Sequence, residues 1–388
     1  MKRRIIGLLA LAAGTALAMS PARAADVLTI GAIGPLTGPG SAWGTAVAAG
    51  PQLVAAEINA EGGLKVGDKT YEVKVVAYDE QYTAAGAIAA YTRLVTQDGV
   101  KYIMGPLSSA GAIAIKDMVE ENKTIIFIGG TTRKAIDANT KFLFRPYSTV
   151  VEYGGPVVRW LRDRQPEGQR RVVLLDPNDE TGWAGQEVEQ TAYAGNGFEV
   201  VGRELYERTL KDFQPVLTKL LAQKPDVIEL GTSVGATAGL IVRQAREMGF
   251  TGRFVKIGGP APRDIVAGAG KEAAEGMLNA LMGDPTNPGY ARLAAAFKKE
   301  KGFEPNESFF VFHDAARVLF AAIQKAGTVT DSDAVRQAIA KVMPFPTTMG
   351  RQITLSGKQT YGADTQFVTV WNVGEIRNGE PVAVGSVQ

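Results

Sequence analysis

The most reactive-looking pattern in this sequence is Gly231-Thr-Ser233-Val-Gly235, a G-x-S-x-G run placed after a predicted strand and before a predicted helix. In that setting a serine can act as a nucleophile, and Asp264 or Asp284 followed by His313 would complete a hydrolase order. Against this, the chain has a single histidine and no HGGG-type loop ahead of the serine. Short Gly/Ser turns after parallel strands are also common, so the pattern fits an ordinary turn better than a nucleophile. His313 lies in Phe309-Phe-Val-Phe-His-Asp-Ala-Ala, an apolar helix where a lone imidazole more often packs than reacts.

Two other stretches suit anion binding. Tyr102-Ile-Met-Gly-Pro-Leu-Ser-Ser-Ala-Gly111 reads as a short apolar strand and a Gly-Pro turn, after which Ser108 and Ser109 open a helix carrying Ile113, Ile115 and Met118. The first backbone N–H groups of a helix have no intrahelical partner, and the helix dipole adds about half a positive charge there. A second turn of this kind follows Thr124-Ile-Ile-Phe-Ile128, at Gly129-Gly130-Thr131-Thr132. Neighbouring strands of one parallel sheet would open both turns on the carboxyl edge, where ligands of open α/β sheets bind. Ser109 and Thr132 are also ordinary cap and turn residues.

Other chemistry is thin. Trp43 follows the loop Gly34-Pro-Leu-Thr-Gly-Pro-Gly40 and precedes a helix, a place from which its ring could roof a small ligand. That loop lacks dinucleotide spacing, and Gly270-Lys271 lacks the glycine spacing of a phosphate loop. Asp176-Pro-Asn-Asp-Glu180 is the densest acidic loop and a candidate cleft lip. Without cysteine and with one histidine, the chain offers no metal set, and no cofactor motif is present.

These residues need a scaffold, and the hydrophobic pattern supplies one. Strands at Val27–Ile33, Tyr71–Tyr78 and Val100–Met104 alternate with helices from Trp43 to Ile58 and from Ala84 to Val95, which predicts βαβ units and a parallel sheet. After Phe142-Leu-Phe-Arg-Pro146 the pattern restarts with helices over 150–164, 182–194, 212–222 and 235–248. Between them lie strands near Arg171–Leu175, Phe198–Val201, Asp226–Leu230 and Arg253–Ile257. A return is predicted at Gly276–Met282, with helices over 290–300, 307–325 and 331–341, then a strand near 351–355 and a final one, Gln366–Val373. A chain that crosses between two lobes more than once makes a cleft and a hinge.

Residues 1–24 read as a signal peptide: Lys2, Arg3 and Arg4, an apolar Ile5–Met19, and a small-x-small site at Ala22-Arg-Ala24. The expectation is export with cleavage after Ala24, leaving a free periplasmic protein that is not membrane-embedded. Its removal takes the formal charge from +2 to −2, too little positive charge for a nucleic-acid or anionic-membrane partner. The 45% apolar content is globular, and the length suits two domains.

With these residues assembled, the chain resembles the type I periplasmic binding proteins of the leucine/isoleucine/valine class. The resemblance runs through Ile30-Gly-Ala-Ile-Gly-Pro-Leu-Thr-Gly38, Ala56-Glu-Ile-Asn-Ala-Glu-Gly-Gly63, Gly105-Pro-Leu-Ser-Ser109, Arg243-Gln-Ala-Arg246 and Ala274-Glu-Gly276. It implies an α/β fold of two doubly wound parallel-sheet lobes with three hinge crossings. The lobes would be 25–147 plus 280–358 and 148–279 plus 359–388. The implied function is a non-enzymatic, monomeric binding protein that closes on a small carboxylate, an amino acid or an aromatic or keto acid, and delivers it to ABC permease subunits. By resemblance, Ser109, Gly130 and Thr132, with neighbouring Ser108 and Thr131, form the carboxylate cradle, and Trp43 lies over the ligand. Thr181, Ser233 with Val234, and His313 are its remaining contacts. The family's ammonium-pairing acid falls near Gly258-Gly-Pro260, where this chain has none; Asp179, Glu180 and Asp314 are candidate replacements. The readings left beside this one are a periplasmic serine hydrolase using Ser233 and His313, and a sensor reporting to a membrane receptor.

Overall fold

The computed structural model describes residues 26–259, 261–281, 283, 287–350 and 352–387. The predicted signal peptide, Pro260 and Asp284 lie outside the described residues.

Apolar runs buried on both faces build two parallel sheets, as expected when helices cover each side. In the first, the strands lie in the order Leu64–Val66, Lys69–Asp79, Asp26–Gly34, Tyr102–Met104, Ile125–Phe127 and Leu143–Phe144. All neighbours are parallel except the leading hairpin. The second runs Glu380–Val387, Trp371–Arg377, Leu278–Leu281, Arg253–Lys256, Val227–Glu229, Arg171–Pro177 and Glu199–Tyr206. Its first three strands pair antiparallel and the rest parallel. A small antiparallel sheet of Phe345–Pro346, Gln352–Ser356 and Gln366–Val368 sits apart.

The chain passes between the lobes three times. The first and third passages are zipped together: Arg145 N donates to Thr365 O (2.9 Å), Phe367 N to Arg145 O (2.8 Å), and Thr369 N to Ser148 Oγ (3.3 Å). On the second passage the chain returns through Pro288–Lys301 to the helix Glu307–Ala326, which packs along Ser41–Ala60.

Three features differ from the sequence expectation. The predicted strand Gln366–Val373 is two strands in different sheets, because the third crossing falls between Val368 and Trp371 inside one apolar run. A last hairpin turns on Asn378-Gly379, both with positive φ (54° and 81°), and carries Glu380–Val387 beyond the last predicted strand. Leu278–Leu281 joins the second sheet, so the strand spans the predicted 279/280 lobe boundary.

Candidate functional site

Each sheet reverses its strand order once near the cleft. The reversal lies between Asp26–Gly34 and Tyr102–Met104 in the first lobe, and between Arg171–Pro177 and Val227–Glu229 in the second. Carboxyl-end loops at such points form binding crevices. Here the loops of both lobes face one cavity of about 70 Å³. That is several times the roughly 10–15 Å³ a cavity needs to hold one water. Trp43, Tyr82, Tyr147, Tyr153, Phe312 and Trp371 form aromatic walls, and Thr181, Thr232, Ser233, Val234, Gly258 and Gly259 line the second-lobe side.

In the first lobe, Gly105 has φ +92°, and a Cβ there would lie 1.8 Å from Ile33 O, so the turn after Met104 requires glycine. Beneath it the buried Glu80 carboxylate accepts from Leu107 N (2.8 Å), Ser108 N (3.0 Å) and the Ser108 hydroxyl (2.5 Å). Burial raises Glu80 to about 7, although these bonds favour its charged form. Ser109 Oγ accepts from Thr131 N (3.0 Å) and Thr132 N (3.3 Å), tying the two predicted turns together. From behind, the buried Arg145 guanidinium donates to Gly130 O (2.8 Å), Thr132 O (2.6 Å) and Gln366 Oε1 (3.1 Å). One side chain thus links this loop to the hinge.

The second lobe repeats the turn. Gly231 has φ +43°, and a Cβ would lie 1.9 Å from Asp176 Oδ1. Asp176 Oδ1 accepts from Thr232 N (2.9 Å) and Thr232 Oγ1 (3.2 Å). Glu229 accepts from Gly231 N and Ile257 N (2.9 Å each) and from the Tyr193 hydroxyl (2.7 Å). Lys256 Nζ donates to Gly231 O (2.7 Å) and to Gly258 O. Burial raises Glu229 to about 7 and lowers Lys256 to about 8. Glu189 is also pushed up, by burial and by the charges of Asp176 and Glu229. Both Glu189 carboxyl oxygens are buried without a hydrogen-bond partner among the described residues.

The lobes touch across the cleft. Ser109 N donates to Thr181 Oγ1 (3.4 Å) and the Thr132 hydroxyl to Glu180 Oε1 (3.2 Å), while Lys134 pairs with Glu180 (3.0 Å). The Arg208 guanidinium lies 4.1 Å from the Tyr82 ring centre. This is a closed arrangement.

Of the residues singled out in the sequence, Trp43, Thr131, Thr181, Ser233 and Val234 line the cavity. Ser108, Ser109, Gly130 and Thr132 stand one layer behind, holding the loops that do. His313 is buried away from that lining, with its amide N 2.5 Å from where a Cβ on Gly50 would stand and its Nδ1 3.4 Å from Thr348 Oγ1. Ser233 Oγ accepts from the Tyr206 hydroxyl (2.8 Å) and has no imidazole among its bonds, so the nucleophile pattern lacks its base. Asp179 caps the helix Glu180–Gly195 and pairs with Arg208; Glu180 is engaged by Lys134 and Thr132; Asp314 pairs with Arg317 (2.8 Å). None of the three lines the cavity. Sequence reading did not single out Tyr82, Tyr147, Tyr153, Glu307 or Trp371. Tyr82 sits in a strand-end loop and was findable; the others reach the cleft only through the hinge and the returning helix. No group of three or more His, Cys, Asp or Glu side chains fit for a metal ion occurs among the described residues. No helix there is long and apolar enough to cross a membrane.

The family model for periplasmic binding proteins matches residues 27–380. A Leu/Ile/Val-binding protein of Rhizobium johnstonii is 29% identical over 372 residues, covering 93% of this chain and 95% of that protein. The crystal structure of a leucine binding protein from Thermotoga maritima superposes with a TM-score of 0.79 at 26% identity, covering 93% of this chain and 99% of that one. A solute binding protein of an ABC transporter from R. palustris, in complex with benzoate, shares the fold at a TM-score of 0.78 and 19% identity, over 93% and 96% of the two chains. With two parallel-sheet lobes, a hinge and a cleft between them, and with the family model spanning nearly its whole length, this chain belongs to the periplasmic binding proteins.

Proposed function

We propose that this protein is the exported, substrate-binding component of an ABC importer, and that it captures a small carboxylate with an apolar or aromatic body by closure of its two lobes. The lobes are assigned as 25–147 plus 280–358 and 148–279 plus 359–388, with the strand Leu278–Leu281 at one boundary. The observation that carries the reading is the cavity itself: residues of both lobes line it, and the buried Thr131 hydroxyl there has no hydrogen-bond partner among the described residues. The helix starting at Ser109 contributes the positive end of its dipole to the same corner. Aromatic side chains, with little conformational freedom to lose, then enclose the body of the ligand. The leucine-class relatives and the benzoate-bound neighbour motivate the two ligand groups to try. A ligand favours the closed form only to the extent that it contacts both lobes, which the cavity lining allows.

The test is a thermal-shift and calorimetric screen of the purified protein against amino acids, keto acids and aromatic carboxylates. A ligand at a hundredfold excess over its Kd stabilises the fold by about 2.7 kcal/mol and stands out from the set. Ser109→Ala is expected to weaken the responding ligand about tenfold, because Ser109 Oγ fixes the N–H groups of Thr131 and Thr132. Unchanged affinity in that variant removes the cradle from the account.

A further inference from the structure

Four buried polar atoms among the cavity-lining residues have no hydrogen-bond partner among the described residues: Trp43 Nε1, Thr131 Oγ1, Trp371 Nε1 and Glu307 Oε2. Buried polar groups are nearly always paired, so orphans gathered around one cavity describe the ligand that would satisfy them. The two indole N–H groups can only donate and so call for acceptors, which a carboxylate supplies. Glu307 makes the opposite demand.

Glu307 opens the helix Glu307–Ala326, behind the cap Asn306, and is 8% exposed. No described basic side chain makes an ion pair with it. The cations whose charges reach it are engaged elsewhere: Lys256 Nζ on the carbonyls of Gly231 and Gly258, and Arg263 on Glu304 and Glu380 (3.4 Å each). Asp264, the other charged group facing it, repels it. Burial and that repulsion raise the Glu307 carboxyl to about 8, the behaviour of an acid in need of a hydrogen-bond donor. Gly258 and Gly259, where the family resemblance would put an acid, line the same cavity without a side chain to offer.

We propose that Glu307 is this protein's ligand-reading acid. The helix Glu307–Ala326 presents to the cleft the carboxylate that the loop after Arg253–Lys256 lacks, and it selects small carboxylates that also carry a hydrogen-bond donor, an ammonium or a hydroxyl. This rests on the capture of small carboxylates proposed above and narrows it. A ligand of this kind satisfies both the indole donors and the Glu307 acceptor, whereas a plain keto acid or benzoate brings no donor group to Glu307 Oε2.

The experiment compares matched acids by calorimetry on the full mature chain: leucine, 2-hydroxy-4-methylpentanoate and 4-methyl-2-oxopentanoate as one set, and 4-hydroxybenzoate against benzoate as the other. In the set whose body fits, the donor-bearing member is expected to bind about 10- to 100-fold more tightly than its donor-free partner. Leucine above the hydroxy acid identifies an ammonium; comparable binding of the two identifies any donor. Glu307→Gln is expected to erase most of that preference, chiefly by weakening the donor-bearing acid. Glu307→Met, of similar volume, is expected to reverse it. Equal preference in wild type and Glu307→Gln, or a wild type that favours donor-free acids, overturns the assignment of Glu307 alone. If no acid in either set binds, the capture of small carboxylates fails, and this inference with it.

Discussion

The turn Gly105–Ser108 in the first lobe and the turn Gly231–Ser233 in the second occupy the same place in their sheets. Each follows a buried strand beside the point where strand order reverses, and each needs a glycine with positive φ. They differ in what lies underneath. A single acid, Glu80, holds the first through three hydrogen bonds. Under the second are three acids and one cation, Asp176, Glu189, Glu229 and Lys256, all fully buried. Three negative charges beside one lysine in a medium of low dielectric are costly, and burial with mutual repulsion pushes the carboxyls up, Glu189 well above the usual carboxylate range and Glu229 to about 7. A turn can thus be fixed either by hydrogen bonds to one carboxyl group or by a balance of several ionisable groups, and only the balance depends on every member being present.

That difference predicts unequal responses to removal of one group. Lys256→Met strips the only cation from beneath the second turn and is expected to cost about 3–5 kcal/mol in urea unfolding, the range for breaking a buried ion group. A loss below about 1 kcal/mol would show that the three acids are already neutral and that no charge balance exists. Glu80→Gln keeps an acceptor for one or two of the N–H groups above it and is expected to cost about 1–3 kcal/mol. A cost equal to that of Lys256→Met would erase the contrast between the lobes.

The smallest effect is on pH dependence. Glu80 and Glu229 both hold protons in the folded protein up to about pH 7, against an unfolded carboxyl near 4.5. The stability each contributes is therefore complete below about pH 4.5, falls as pH rises, and is gone above about pH 7, a change on the order of 3 kcal/mol per group at most. Asp79 and Asp137, lowered by hydrogen bonds, work in the other direction below about pH 4. The melting temperature is expected to decline from pH 5 to pH 7.5. Glu229→Gln should flatten that decline without raising the whole curve, and an unchanged slope would assign the pH response elsewhere.

Much of this protein is legible along the chain. The alternation of apolar runs and amphipathic helices locates nearly every element of both sheets, since periodicity is a property of neighbouring residues. Ser108, Ser109 and Thr132 are readable as helix and turn starts; Ser108 and Thr132 do cap the elements they precede, while Ser109 Oγ instead ties down the N–H groups of Thr131 and Thr132. The break between Gln366–Val368 and Trp371–Arg377 is not readable, because a strand that changes sheets looks locally like one that does not. The hairpin on Asn378-Gly379 was readable from that dipeptide alone.

What the sequence determined by itself is the set of local devices: strands, helix starts, and the glycines that permit tight turns. It could not decide which side chains share a cavity, because contact between positions such as Trp43, Thr131, Thr232, Glu307 and Trp371 depends on three crossings of the hinge rather than on spacing. It could not decide charge either. Glu80 and Glu307 read as ordinary acids along the chain, and only burial in the folded lobes makes the first a loop anchor and leaves the second without an ion-pair partner among the described residues, because desolvation is set by everything that surrounds a group in space.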